Sequence, residues 1–198
     1  VTLSQERTGA EYRSTLLSVQ EEVQRLAQLT SALLLLARTD AHELPLTLAA
    51  VNPGLLLNTI AEQFGSLAAE KNIRLECETF PDLTIRGDED RLIQVIFNLM
   101  DNALKYTPAG GRVRIAMTHD QQRVKLMIED SGPGIPIPEQ GQIFERFYRV
   151  DHARSRSQGG LGLGLAIARR IVDLHKGTIQ VISEPGCGAR FIVTLPLR

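Results

Sequence analysis

No stretch of this chain approaches the roughly 18 to 20 consecutive apolar residues that cross a bilayer, and its opening VTLSQERTG lacks the apolar core of a signal peptide. The chain as it stands is therefore expected to be soluble. Cysteine is scarce. Cys77 and Cys187 stand far apart and outside any Cys-x-x-Cys spacing, which excludes an obvious zinc knuckle, fits a reducing compartment and leaves room for a single disulfide at most. Excess charge of either sign is also missing: a net charge of -1 over 198 residues gives no whole-molecule field for nucleic acid or an anionic membrane. No nucleic-acid partner is expected. Internal repeats and low-complexity tracts are absent, and with 43% of its residues hydrophobic the chain can bury one compact domain plus an appendage, or two small domains.

The first feature that is present is a long amphipathic helix. From Glu11 to Arg38, Leu16, Val19, Val23, Leu26, Leu33 and Ala37 recur in alternating steps of three and four, broken only by Thr30, with Glu21, Glu22, Gln24 and Arg25 between them. Such a seam needs partner helices, because a lone helix of this kind is marginal in water. The run before it ends in Gly9 and reads as the end of another element followed by a turn, leaving the seam's antiparallel partner outside the chain. The texture changes near residues 40 to 50, which divides the chain into 1–45 and 46–198. Asn52-Pro53 then supplies an N-cap and first helical position for a helix reaching about Asn72. IRLECET and LTIRG read as strands, GDEDRLIQVIFNLMDNALKYT as a helix capped by Asp88, and RVRIAMT and RVKLMIED as adjacent strands. LGLGLAIARRIVDLHK reads as a helix, followed by the strands TIQVIS and ARFIVTLP joined at EPGCG. Without βαβ regularity the expected fold class is α+β: a two-layer α/β sandwich with a mixed, mostly antiparallel sheet and helices on one face, preceded by the long helix.

Three segments interrupt the apolar pattern. In NLMDNALKYTP, Asn98 and Asn102 lie four apart on one helical face, although Asn competes for backbone hydrogen bonds and is a mediocre helix former; Lys105 follows one turn on. In EDSGPGIP, Asp130 ends a strand and Gly132 and Gly134 bracket Pro133, a rigid turn that lets backbone approach a flat ligand while a carboxylate faces it, or else simply a tight turn with a capping Asp. In GGLGLGLAI, the glycines at 160, 162 and 164 open a helix, whose N-H groups and dipole suit phosphate. No Gly-Lys-Ser/Thr follows, so this is not a Walker loop, and the polar, basic VDHARSRSQ before it reads as a mobile flap or a plain surface loop. Together the segments agree on a nucleotide. Asp130 can accept from an exocyclic amine, the helix start at Gly162 to Gly164 can hold phosphates, and Lys105, Arg146 or Arg149 can add charge. An amide oxygen is a neutral hard ligand for Mg²⁺, so one of Asn98 and Asn102 could hold the metal while its neighbour orients water or shares it.

The ordered run NLMDNALKYTP, EDSGPGIP, IFERFYR, GGLGLGLAI and EPGCGARFIVTLP resembles the N, G1, F, G2 and G3 boxes of sensor histidine kinases, in the ATPase superfamily shared with gyrase, Hsp90 and MutL, over roughly residues 50 to 198. The resemblance implies ATP and Mg²⁺ as cofactors, with Asn102 the principal metal ligand and Asn98 beside it. It implies that Asp130 contacts the adenine amine and that Lys105 and Tyr106 face the phosphates and nucleotide. Gly132, Gly134, Ile135, Gly160, Leu161, Gly162, Leu163, Gly164 and Leu165 would line the nucleotide, and Phe144, Arg146, Phe147 and Arg149 would flank the lid that ends at Gly160. Asn98, Lys105, Arg146 and Arg149 would serve catalysis.

The same resemblance makes the long helix, ending in LLLLARTD, the second helix of the family's dimerisation and phosphoacceptor hairpin. The family's phosphoacceptor lies on the first hairpin helix, in a His-Glu-Leu-Arg-Thr-Pro type sequence, and none of His42, His119, His152 or His175 has that context. The chain would thus begin within the last turn of that first helix. His175, at a helix C-terminus, reads as structural, and the other three as loop or turn residues. The implied function is transfer of the γ-phosphate of ATP to a histidine outside this chain, for relay to an aspartate of a response regulator. A parent homodimer would form through the hairpin, with any membrane contact made only by parts of the parent beyond this chain and this part in the cytoplasm, whether or not the parent is anchored in the inner membrane. The alternative from another class is a nucleotide-gated interaction module that binds ATP without phosphotransfer; a serine-directed kinase or ATPase of the superfamily fits the LLLLARTD helix less well.

Overall fold

The computed structural model describes residues 8–40, 45–150 and 162–197. The chain divides into two compact units, Val1–Leu44 and Pro45–Arg198.

The described part of the first unit is one helix, α1 (Gly9–Asp40). A reciprocal capping box starts it: the Thr8 N-H donates to Glu11 Oε2 at 2.8 Å, and the Glu11 N-H donates to Thr8 Oγ1 at 3.4 Å. The Thr8 N-H, and the Thr8 hydroxyl donating to the same Oε2 at 2.9 Å, hold the Glu11 carboxyl below its usual range. Gly9, expected in a turn, is instead the first helical residue, because a Thr-x-x-Glu box places it inside the cap; the element expected before it falls on residues 1–7, outside the described residues. Leu16, Val19, Val23 and Leu26 are all exposed, so four members of the apolar seam stand uncovered; the side chains of Leu33 and Ala37 lie outside the described residues.

In the second unit, β1 (Ala49–Val51) leads into α2 (Pro53–Glu70), where Asn52 caps by accepting the Gly54 and Leu55 N-H groups at 2.9 and 3.1 Å. There follow β2 (Arg74–Cys77), β3 (Ile85–Gly87), α3 (Glu89–Tyr106), β4 (Arg112–His119) and β5 (Arg123–Asp130). Two single 3₁₀ turns, Ile137–Glu139 and Gln142–Phe144, precede α4 (Gly164–Leu174), β6 (Thr178–Ser183) and β7 (Ala189–Pro196). The main sheet has the order β2-β4-β5-β7-β6, with β2 and β4 parallel and every other pair antiparallel. This is the mixed, mostly antiparallel sheet expected. The three-residue β1, which has no strand signature of its own, pairs antiparallel with β3 in a separate two-stranded ribbon, so LTIRG joins that ribbon and not the main sheet.

Alternation explains which face is covered. In β5, Val124, Leu126 and Ile128 are buried while Arg123 and Lys125 face solvent, and β4 and β7 repeat the pattern with Val113, Ile115, Phe191 and Val193. Register sets Ile115 opposite Ile128 and Ile128 opposite Phe191, so the buried side chains form one continuous layer. Helices α2, α3 and α4 cover that layer, α3 touching both of the others. Leu57, Met100 and Val172 are fully buried in it, and each buried side chain of this size contributes about 1.5 to 3 kcal/mol before ordering costs.

Candidate functional site

The alternation that buries Val124, Leu126 and Ile128 continues one step to Asp130, so the strand's own period turns a carboxylate into the helix-facing layer at its last residue. Asp130 is 7% exposed. Its Oδ1 accepts the Gly132 N-H at 2.8 Å and fixes the start of the turn. Burial pushes the Asp130 carboxyl above its ordinary range, against the opposite pull of the Gly132 and Ala189 backbone N-H groups. With the folded-state pKa above the unfolded one, this group favours the fold below the unfolded pKa, and that contribution is lost as pH rises through the folded value. A carboxyl raised by burial at the mouth of a turn is a candidate for a functional group.

The turn after Asp130 is closely packed. A Cβ on Gly132 would lie 2.8 Å from the Tyr106 carbonyl oxygen, so the turn abuts the C-terminal end of α3. Gly134 has φ of +74°, and a Cβ there would overlap the Glu184 carbonyl oxygen of the β6–β7 connection, so both conformation and space demand glycine. The half-buried Ile135 donates its N-H to Ser183 Oγ at 2.8 Å.

On α3, Asn98 and Asn102 are both half-buried and share the expected face. The Asn98 Nδ2 donates to the carbonyl oxygen of Gly164, the first residue of α4, at 3.0 Å; no hydrogen bond ties the Asn102 amide to another described residue. Lys105 lies with its Nζ 5.4 Å from the Tyr106 ring centroid. Burial, then the neighbouring Arg149 and Lys71, lower the Lys105 pKa, with Asp101 opposing them. Burial raises that of Tyr106, and Arg149 opposes it. Arg149 is thus within electrostatic reach of both. Among the described residues no group of three or more His, Cys, Asp or Glu is placed to hold a metal ion, so a cation here would be held by amide oxygens and substrate phosphates. The half-buried Asn102 amide fits that donor set.

Helix α4 begins at Gly164, three residues later than LGLGLAIARR predicts at its first Leu, because Gly162 takes φ of +68° and Leu163 precedes the helix. Among the described residues no side chain caps this N-terminus, which suits its first-turn N-H groups to a ligand. Leu163 is buried and Leu165 half-buried. The Phe147 N-H donates to the Gly162 carbonyl at 2.9 Å, and a Cβ on Gly162 would sit 2.9 Å from the Phe147 carbonyl carbon. The described ends of the segment between them are thereby clasped together. Phe144 is buried, edge-on to Phe191 at 6.4 Å and beneath the Arg169 guanidinium at 5.6 Å, which anchors the IFERFYR segment; Phe147 is exposed with φ of +63°, and Arg146 is exposed. Gly160, Leu161, most of the expected flap, His42 and His152 lie outside the described residues.

His175 has the structural role expected of it. Its Nδ1 donates to Ile171 O at 2.8 Å, and its Nε2 accepts the Asp88 N-H at 2.9 Å. The Asp88 carboxylate in turn accepts the Arg91 and Thr47 N-H groups at 3.2 and 2.9 Å, joining α4, α3 and the segment before β1. Replacing His175 by Ala should lower stability by about 1 to 3 kcal/mol, since it strands a buried N-H; an unchanged midpoint in urea would contradict this. His119 is exposed and ends β4, where a loop was expected. Ser183 and Gln140 grip the Asp130 turn through contacts over 40 residues long in sequence, which leave no local signal.

The family described as histidine kinase-, DNA gyrase B-, and HSP90-like ATPase matches residues 87–198. Over 190 residues the chain is 36% identical to sensor histidine kinase TmoS of Ectopseudomonas mendocina, covering 96% of this chain and 20% of that protein. Full-length ShkA, solved in complex with AMPPNP, superposes with a TM-score of 0.84 at 34% identity, over 96% of this chain and 40% of that one. The mycobacterial sensor histidine kinase MprB superposes with a TM-score of 0.66 at 30% identity, over 77% of this chain and 99% of that one. The chain spans less than half the length of the curated relatives it first matches.

Proposed function

Because the chain belongs to the family of histidine kinase-, DNA gyrase B- and HSP90-like ATPases, as the ATP-binding catalytic domain of a sensor histidine kinase, we propose that it positions ATP for transfer of its γ-phosphoryl group to a histidine carried elsewhere, for relay to a response regulator aspartate. One observation carries the reading. Over the nine residues from Asn98 to Tyr106, about 12 Å of helix rise between the two, α3 touches the first residue of α4 at one end and the Asp130 turn at the other. That span supports a buried acceptor for a base at one end and free helix N-H groups for phosphates at the other.

In this reading Asp130 accepts a hydrogen bond from the adenine amine, and Gly132, Gly134 and Ile135 form the backbone wall beside it. The first-turn N-H groups of α4, from Leu163 to Leu165 behind Gly162, take phosphate oxygens, with Gly160 and Leu161 completing the approach. Lys105, Arg149 and Arg146 neutralise charge as the phosphoryl group moves, Tyr106 flanks the nucleotide, and Phe144 and Phe147 hold the segment that leads to the lid. Asn102, with Asn98 beside it, would hold Mg²⁺, which when bound supplies charge neutralisation and alignment of the phosphates. Residues 1–45 would be part of a dimerisation hairpin with α1 as its second helix, the exposed Leu16, Val23 and Leu26 covered by partner helices in a homodimer. Among the described residues no helix is long and apolar enough to cross a membrane; the reading places this part in the cytoplasm, with anchoring left to other segments of the parent. Calorimetry tests the base assignment: ATP should bind clearly more tightly than GTP, whose oxygen replaces the amine, and equal affinities would remove adenine recognition.

A further inference from the structure

Two side chains with no evident chemistry of their own fasten the Asp130 turn to the β6–β7 connection. Gln140 follows the 3₁₀ turn Ile137–Glu139, which carries its half-buried amide back over Ile135. The amide nitrogen has two hydrogens to donate, and each meets a backbone carbonyl: Ile135 O at 2.9 Å and Ser183 O at 2.7 Å. Ser183 completes the bridge, its buried hydroxyl accepting the Ile135 N-H at 2.8 Å and donating to Gly188 O at 2.6 Å. The Gly186 N-H adds a bond to Pro133 O at 2.7 Å. Ile135 is therefore held through both its N-H and its C=O, one residue after Gly134. Among neutral side chains only Asn and Gln carry two donors on one nitrogen, so the bridge depends on the chemical type at position 140.

We infer that Gln140 is a positioning residue for adenine recognition, setting where the Asp130 carboxylate and the turn backbone meet a purine, and hence how strongly ATP is preferred over GTP. The inference rests on the reading of Asp130 as the acceptor of the adenine amine. Gln140 itself does not touch the nucleotide.

Calorimetry on the 198-residue chain would compare Gln140→Glu, which keeps the size but sets acceptors against two carbonyl oxygens, with Gln140→Lys, whose ammonium can donate to both. Gln140→Glu should weaken ATP and ADP by the same factor, about tenfold, narrow the ATP-to-GTP ratio and leave the Mg²⁺ dependence unchanged. Gln140→Lys should recover most of the loss. Ser183→Ala removes the other half of the bridge and should reproduce the adenine-side loss, which keeps the test available should Gln140→Glu not fold. A Gln140→Glu protein that melts earlier yet binds ATP and ADP as tightly as the wild type would overturn the inference and leave Gln140 a role in stability alone. If the ATP-to-GTP ratio survives Gln140→Glu but collapses in Asp130→Asn, the inference fails and the adenine reading stands. If Asp130→Asn leaves ATP binding intact, both fall together.

Discussion

Replacing Asp130 by Asn should weaken ATP binding by about 1.5 to 3 kcal/mol, roughly 10- to 100-fold, while costing the fold little. Asn keeps an acceptor for the Gly132 N-H, but its second position becomes an NH₂ group, a donor where the adenine amine also donates. The fold loses the pull of the Ala189 N-H on a carboxylate and is relieved of the burial that raises the Asp130 pKa, and these effects oppose each other. The same shift gives a pH signature. ATP affinity should fall as pH drops through a value above the ordinary carboxylate range, because protonation removes the acceptor, and this dependence should vanish in Asp130→Asn. Calorimetry across acid pH with a urea titration at neutral pH reads both quantities. Unaltered ATP affinity in Asp130→Asn would make the carboxylate a turn-forming group only.

Mg²⁺ dependence should divide the two amides of α3. Asn102→Ala should remove the gain in ATP affinity that Mg²⁺ confers, by at least the roughly 10- to 100-fold that outer partners of metal sites are worth. Asn98→Ala should affect the metal less and the phosphates more, because its Nδ2 holds the Gly164 carbonyl at the start of α4. Both proteins should fold, since neither side chain is fully buried. Titrating ATP with and without Mg²⁺ decides between the roles, and full Mg²⁺-dependent affinity in Asn102→Ala would show that amide to be structural.

What was legible in the sequence is what local chemistry dictates. Asn52 before Pro53 and Asp88 before a charged first turn announce their helices because capping is settled within three residues. RVKLMIED before Gly132-Pro133-Gly134 announces a strand that ends in a carboxylate at a turn, and its burial follows once Val124, Leu126 and Ile128 are packed on the same face. What stayed hidden depends on partners distant in the chain. β1 is three residues long and exists through its pairing with β3. The start of α4 is set by Gly162 packing against Phe147, and the grip of Ser183 on Ile135 spans 48 residues. Asn98 shows both sides. Its unusual place on a core-facing helix pointed to a polar task, but the particular bond, to a carbonyl 66 residues away, is visible only once α3 and α4 are packed.

The most direct measurement incubates the chain with γ-labelled ATP and Mg²⁺, alone and with a separately supplied helical hairpin bearing a histidine in a His-Glu-Leu-Arg-Thr-Pro type sequence. In-line transfer needs an imidazole held at near-attack distance from the γ-phosphate, and no histidine of this chain stands in that context. The expected result is no label on the chain itself and acid-labile phosphate on the hairpin histidine, lost when Asn102 is replaced by Ala. Acid-labile phosphate on His42, His119, His152 or His175 of the isolated chain, with none on the hairpin, would contradict it.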